Sequence, residues 1–116
     1  MTKSCSQRYP FYIIRGNTFE FDINVSDIGE SVVSDIYFSC KVKWTDSEYV
    51  FQKTLGDGIE DCGNGLYHVR LAPADTEDLD PGTYSYDIEI VIDDRDIFTA
   101  LYGSIHLKED ITREKL

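Results

Sequence analysis

The chain has 116 residues, 41% of them hydrophobic and 13% aromatic. That is enough for one core and one domain over residues 1–116, and too apolar for a disordered segment. The 22 Asp and Glu against 11 Lys and Arg give a formal net charge of −11; this excludes nucleic acid and anionic membrane surfaces as direct partners, because both carry the same sign.

From the N-terminus, MTKSCSQRYPFYIIRG holds only the short apolar run FYII. This is too short for a signal-peptide core, and no run approaches the roughly 18 apolar residues of a membrane span. The expectation is a chain made in the bacterial cytoplasm with no signal peptide and no membrane insertion. Its three cysteines, Cys5, Cys40 and Cys62, form no CxxC. An odd count without that spacing fits neither a disulfide framework nor a zinc site, and Cys40 reads as a small core residue.

Phe11 to Arg15 is a short strand closed by Gly16-Asn17. Thr18 to Val25 alternates, with Phe19, Phe21, Ile23 and Val25 on one face and Glu20, Asp22 and Asn24 on the other; such a strand has one wet and one buried side. Val32 to Trp44 puts Ile36, Phe38, Cys40, Val42 and Trp44 inward and Tyr37, Ser39, Lys41 and Lys43 outward. After the turn TDSE, Tyr49 to Leu55 returns as a hairpin partner. LGDGIEDCGNG has four glycines in eleven residues and reads as loop or a very short strand. Leu66 to Leu71 is a strand. Thr83 to Ile92 points Tyr84, Tyr86, Ile88, Ile90 and Ile92 inward, DDRD turns the chain, and Ile97 to Leu107 runs back. Residues 1–8 and 109–116 read as flexible ends. The pattern predicts an all-β fold: a single immunoglobulin-like antiparallel β-sandwich of about seven strands.

The stretch LAPADTEDLDPGTYSYDIEI is the most acidic part of the chain that also carries turn signals. Pro73 cannot donate to a ladder and ends the preceding strand. Asp75 is suited to cap one helical turn, ADTEDL, with Glu77 and Asp78 in its first turn, where the helix dipole favours negative charge. Leu79 plugs the core. Asp80-Pro81-Gly82 makes a β-turn. The Tyr84 hydroxyl is placed to reach back to the corner backbone, as a tyrosine corner does. On this reading Pro73, Asp75, Leu79, Pro81, Gly82 and Tyr84 form a structural corner, and the carboxylates need no ligand.

Catalytic signals are missing. His68 and His106 have outward strand parity, no GxSxG occurs, and no glycine loop continues as GK[ST]. The expectation is no catalytic residue, no cofactor and no enzyme. The alternative is a ligand-binding module for calcium or a cell-surface glycan, using acidic end loops. Asp75, Glu77, Asp78 and Asp80 lie in one such loop, and Asp93, Asp94 and Asp96 in another. Calcium takes 6–8 oxygens, but no EF-hand spacing exists here. Tyr9, Tyr12, Tyr37, Tyr49 and Tyr102 suit either an interface or half-buried strand faces.

The order of these signals resembles immunoglobulin-like modules of tailed phages and prophages of Gram-positive bacteria, similar to the N-terminal domain of baseplate upper proteins. The matching stretches are GNTFEFDINV, IYFSCKVKW…YVFQKTLGDGI, GNGLYHVRLAPADTEDLDPGTYSYDIEIVI and SIHLKEDIT, together about residues 16–112. The resemblance implies a non-enzymatic virion structural or assembly module whose partners are other phage structural proteins or further copies of itself. Assembly would cover an exposed strand edge. Opposite charge would let the Lys41 and Lys43 face meet the acidic half, where only Arg70 and Arg95 oppose the carboxylates between Asp57 and Asp96.

Overall fold

The computed structural model describes residues 7–26 and 28–112. Its elements are β1 (Gln7–Arg8), β2 (Phe11–Ile14), β3 (Phe19–Asn24), β4 (Val33–Lys41), β5 (Phe51–Leu55), β6 (Gly58–Gly63), β7 (Leu66–Leu71), α1 (Pro73–Thr76), β8 (Gly82–Ile92) and β9 (Asp96–Lys108). Among the described residues the fold is all-β apart from one helical turn. Among the described residues no helix is long and apolar enough to cross a membrane.

Alternation sets the strands that matter most. Every inward position of β8, from Tyr84 to Ile92, is buried, and Ser85, Asp87 and Glu89 between them are half-buried on the other side. β7 does the same with Tyr67, Val69 and Leu71. Three corrections to the sequence reading follow. β4 stops at Lys41, so Val42 and Trp44 leave the core and stand 53% and 80% exposed. The glycine-rich stretch forms β6, because Ile59 is buried and pairs with Val69 while the glycines take the turns around it. The strand count among the described residues is nine, since Gln7 and Arg8 also pair with β9.

β1 and β2 keep one register on β9, Arg8 opposite Tyr102 and Phe11 opposite Ile105. The break between them falls at Tyr9-Pro10, and Pro10 has no N–H for the ladder. Gly103 lets this segment lie close, because a Cβ there would stand 2.7 Å from the Tyr9 carbonyl oxygen. The end expected to be flexible is therefore tied down at Gln7 and Arg8. At the other end Asp110 accepts from Arg15 Nε at 3.0 Å, with both side chains 9% exposed. Residues 1–6, with Cys5, and 113–116 lie outside the described residues.

The strands form one hydrogen-bonded path, β1-β9-β8-β4-β5-β6-β7-β3, with β2 also on β9. It is not wholly antiparallel: β1 and β2 run parallel to β9, and β5 runs parallel to β6. Only Thr54–Gly58 and Leu55–Ile59 pair at the β5–β6 junction, which makes it a corner. About that corner the sheet curls until its ends meet. Phe11 of β2 lies 5.4 Å from Phe19 and 4.9 Å from Phe21 of β3, ring to ring. Phe38 sits at the centre, fully buried, against Phe11, Phe21, Phe51 and Tyr86. Such ring pairs contribute about 0.5–1.5 kcal/mol each beyond the area they bury.

Candidate functional site: the open face of β9, β8, β4 and β5

The acidic corner is largely engaged in holding the fold. Pro73 is the first residue of α1 and Ala72 its N-cap. Asp75 is the third helical residue, not the cap. Its Oδ2 accepts the Ala72 N–H at 2.7 Å and its Oδ1 accepts from Lys53 Nζ at 2.8 Å. α1 ends at Thr76, so Glu77 and Asp78 fall beyond the first turn. Thr76, not singled out by its sequence, is buried and accepts the Gly16 N–H at 2.8 Å. Leu79 packs against the core and gives its carbonyl to Arg15. After Pro81-Gly82, the Tyr84 hydroxyl donates to the Asp80 carbonyl at 2.6 Å.

The second acidic loop is a hairpin turn. Asp93 and Asp94 take φ of 55° and 53°, the left-handed region that Asp tolerates. Asp93 Oδ1 accepts the Val32 N–H at 2.9 Å, which holds its carboxyl below the usual carboxylate range. The Asp94 N–H donates to Ser34 Oγ, and Asp96 pairs with Arg95. Among the described residues no three His, Cys, Asp or Glu side chains are grouped to hold a metal ion. Asp78 and Asp80 are exposed and Asp96 half-buried. The calcium candidates Asp75, Asp78, Asp80, Asp93, Asp94 and Asp96 thus form no common cluster.

What the topology does assemble is a face. The outward residues of β9, β8, β4 and β5 line a groove of about 810 Å³. Cross-strand pairing sets them in rows. One row runs Arg8, Tyr102, Asp87, Ser39, Gln52, across β1, β9, β8, β4 and β5. The next runs Thr99, Glu89, Tyr37, Thr54. On the other side lie Ser104, Ser85 and Lys41. Thr99 and Tyr102 have opposite parity, yet both line the groove. The register shifts between Ile88 and Glu89, where Ala100 is the extra residue of β9, and a bulge re-aims the side chains beyond it.

Trp44 and Tyr49, from the β4–β5 loop, line the groove past the end of β4, and Tyr102 lines it from β9, between Arg8 and Asp87. Lys41 Nζ lies 5.2 Å from the Tyr49 ring centre, a cation–π contact that orients both. Gln52 Nε2 and Ser39 Oγ are 2.9 Å apart. Burial raises the Asp87 carboxyl above its ordinary pKa, against the pull of Lys41, and burial together with Asp87 raises Glu89. Lys41 and Lys43 do not form the single face expected of them. Lys41 belongs to the groove beside Asp87, whereas Lys43 lies past the end of β4 in a turn closed by Asp46.

The opposite outer face, on β3, β7 and β6, carries His68 between Asp22, 2.7 Å from Nδ1, and Glu20, 2.9 Å from Nε2. The hydrogen bonds to Asp22 and Glu20 push the His68 pKa up. In the core, burial pushes the Cys40 thiol up to about 12, as befits an inert packing residue.

No protein-family model and no curated protein matches this chain. Solved structures do. The endo-β-1,4-mannanase of Thermotoga petrophila matches with a TM-score of 0.57 at 14% identity, over 86% of this chain and 18% of that one. A family 123 glycoside hydrolase from Clostridium perfringens matches at 0.45 and 13%, over 90% and 23%. The extracellular domain of the voltage-gated sodium channel β4 subunit, solved as a parallel homodimer, matches at 0.45 and 13%, over 96% and 99%. The chain therefore spans about a fifth of each of these two hydrolases. At such identities the mannanase likeness shows a shared fold and nothing of activity.

Proposed function

We propose that this chain is a non-catalytic recognition module, immunoglobulin-like in its strand pairing, that belongs to the virion of a tailed phage or prophage and presents the open face of β9, β8, β4 and β5 to its ligand. The observation that carries the reading is the groove. Four rings (Tyr37, Trp44, Tyr49 and Tyr102) and two charges of each sign (Arg8, Lys41, Asp87 and Glu89) share one surface of a chain whose net charge is −11. Exposed aromatics gathered in a concavity with a few fixed polar groups are the ordinary make-up of a binding site. The immunoglobulin-like assignment is supported by β2 running parallel to β9 at one end of the path and by the β3-β7-β6 half closing over it. The virion setting is supported by the order of sequence signals over about residues 16–112. Other virion proteins, or further copies, would then hold the module by its remaining surfaces.

Binding fits the face better than hydrolysis does. Glycoside hydrolysis sets two carboxyl groups on either side of the bond to be cut. Asp87 and Glu89 are two apart on one strand and rise from the same floor, so both meet a ligand from below.

The test uses particles from a host carrying the gene. An antibody to the chain is expected to label purified virions in the electron microscope, and particles bearing Trp44→Ala and Tyr102→Ala to adsorb more weakly to cells. Particles without the chain would overturn the virion setting. Normal adsorption by the doubly substituted particles would overturn the recognition face.

A further inference from the structure

The open face is more polar along its middle than a protein-docking patch. Protein interfaces bury aromatic and aliphatic anchors at the centre and ring them with polar groups. Here the row Arg8, Tyr102, Asp87, Ser39, Gln52 is polar apart from one ring. Asp87 accepts, Ser39 and Gln52 both donate and accept, and Arg8 donates from the β1 end. The most exposed rings come from different places, Trp44 at 80% and Tyr49 at 52% from the loop past the end of β4, Tyr102 at 40% from β9 within the row. The row crosses five strands, hence four strand spacings, or roughly 19 Å. That is the reach of a short oligomer lying across the strands, not of one small molecule.

Charge narrows the chemistry. Arg8 and Lys41 balance Asp87 and Glu89 in the groove, inside a chain of net charge −11. An anionic polymer meets long-range repulsion from the chain and no local excess of cations to offset it. A cationic one is drawn to the exposed acidic loops, not to the balanced groove. From this layout we infer that the groove binds a neutral oligosaccharide of pyranose units, laid across β9, β8, β4 and β5. Trp44, Tyr49 and Tyr102 stack on the C–H faces of the sugars, and Asp87, Ser39 and Gln52 hydrogen-bond their hydroxyls. An aromatic ring offers such a sugar face a flat apolar partner, and hydroxyls need partners that donate as well as accept. This site is the sheet face, distinct from the acidic end loops. The inference rests on the recognition reading above and names its ligand class.

The probes are cellohexaose, mannohexaose and hexa-N-acetylchitohexaose, with hexagalacturonic acid as the anionic control. Each is titrated into the ¹⁵N-labelled chain and followed by calorimetry and amide shifts. At least one neutral hexamer is expected to bind and to move the amides of Ser39, Gln52, Asp87 and Tyr102. Trp44→Ala is expected to weaken that binding by about tenfold or more, or about 1.4 kcal/mol. Asp87→Asn, which keeps the shape of the side chain, provides a second reading if the Trp44 variant does not fold. No shift with any neutral hexamer, equal shifts with hexagalacturonic acid, or full binding by both variants overturns the inference. If the hexamers fail while Trp44→Ala and Tyr102→Ala still weaken adsorption of particles, the recognition face stands and its ligand is a protein or another polymer. If both experiments fail, both readings fall.

Discussion

The two outer faces of the curled sheet are built from the same alternation and differ in what alternates. On β3, β7 and β6 the outward positions are mostly charged: Glu20, Asp22, Glu60 and Arg70, with His68 clamped between Asp22 and Glu20. On β9, β8, β4 and β5 they are Tyr, Ser, Thr and Gln with balanced charge. The first face satisfies its charges internally and in water, and surface ion pairs of this kind add little to stability. The second leaves rings exposed and two carboxyl groups partly desolvated, with their pKa values raised. A small acidic domain that needed only solubility would make both faces like the first. The contrast is the reason for assigning function to the second.

The largest effect is expected at Gly103. A side chain there meets the Tyr9 backbone, and the residue holds a φ of 151°. Gly103→Ala is expected to destabilise the chain by about 1–3 kcal/mol and to lift β1, removing Arg8 from the groove while leaving the His68 face unchanged. Denaturant midpoints and amide exchange at Gln7 and Arg8 check this; unchanged exchange there would show that the close approach does not matter.

A smaller effect is expected at the corner that feeds β8. Tyr84→Phe removes the hydroxyl that donates to Asp80, for a loss of about 0.5–1.5 kcal/mol, with wild-type binding at the groove. A loss of binding instead would mean that the corner positions β8 and that the groove depends on it.

The smallest expected effect separates the faces by pH. The folded His68 pKa is raised above its unfolded value of about 6.5. Its contribution is therefore fully present below that value and lost as pH rises through the folded pKa. Asp87 and Glu89 are also raised, so the fold favours their protonated forms and loses that preference in a lower window, as pH climbs from about 4 through their folded values. Urea midpoints measured across both windows are expected to lose the upper step in His68→Gln, and to show a smaller lower step in Asp87→Asn, where Glu89 still carries its burial. Both steps surviving unchanged in both variants would show that these groups do not set the pH dependence of stability.

Much of the fold is legible in the sequence. β3, β7 and β8 follow from alternation alone, and the turn at Asp93-Asp94 from its residue types. β6 is hidden because glycines suit turns in sequence but here flank a strand held by one buried residue, Ile59. The end of β4 is hidden because Val42 and Trp44 keep the alternation after pairing stops at Lys41. The groove is the hardest to see. Arg8, Ser39, Asp87 and Tyr102 are neighbours only through the register of four strands, and the bulge at Ala100 reverses the parity that a reader of β9 would assume. Outward parity placed Tyr37, Ser39 and Lys41 together. Nothing local says that Tyr102 and Trp44 complete their surface.

The most direct measurement is adsorption of two sets of particles, one with Trp44→Ala and Tyr102→Ala, the other with Glu20→Gln and Asp22→Asn. The account predicts a loss of about tenfold or more in the first set, as truncated aromatic anchors give, and wild-type behaviour in the second. Equal losses in both, or a loss confined to the second, would contradict it.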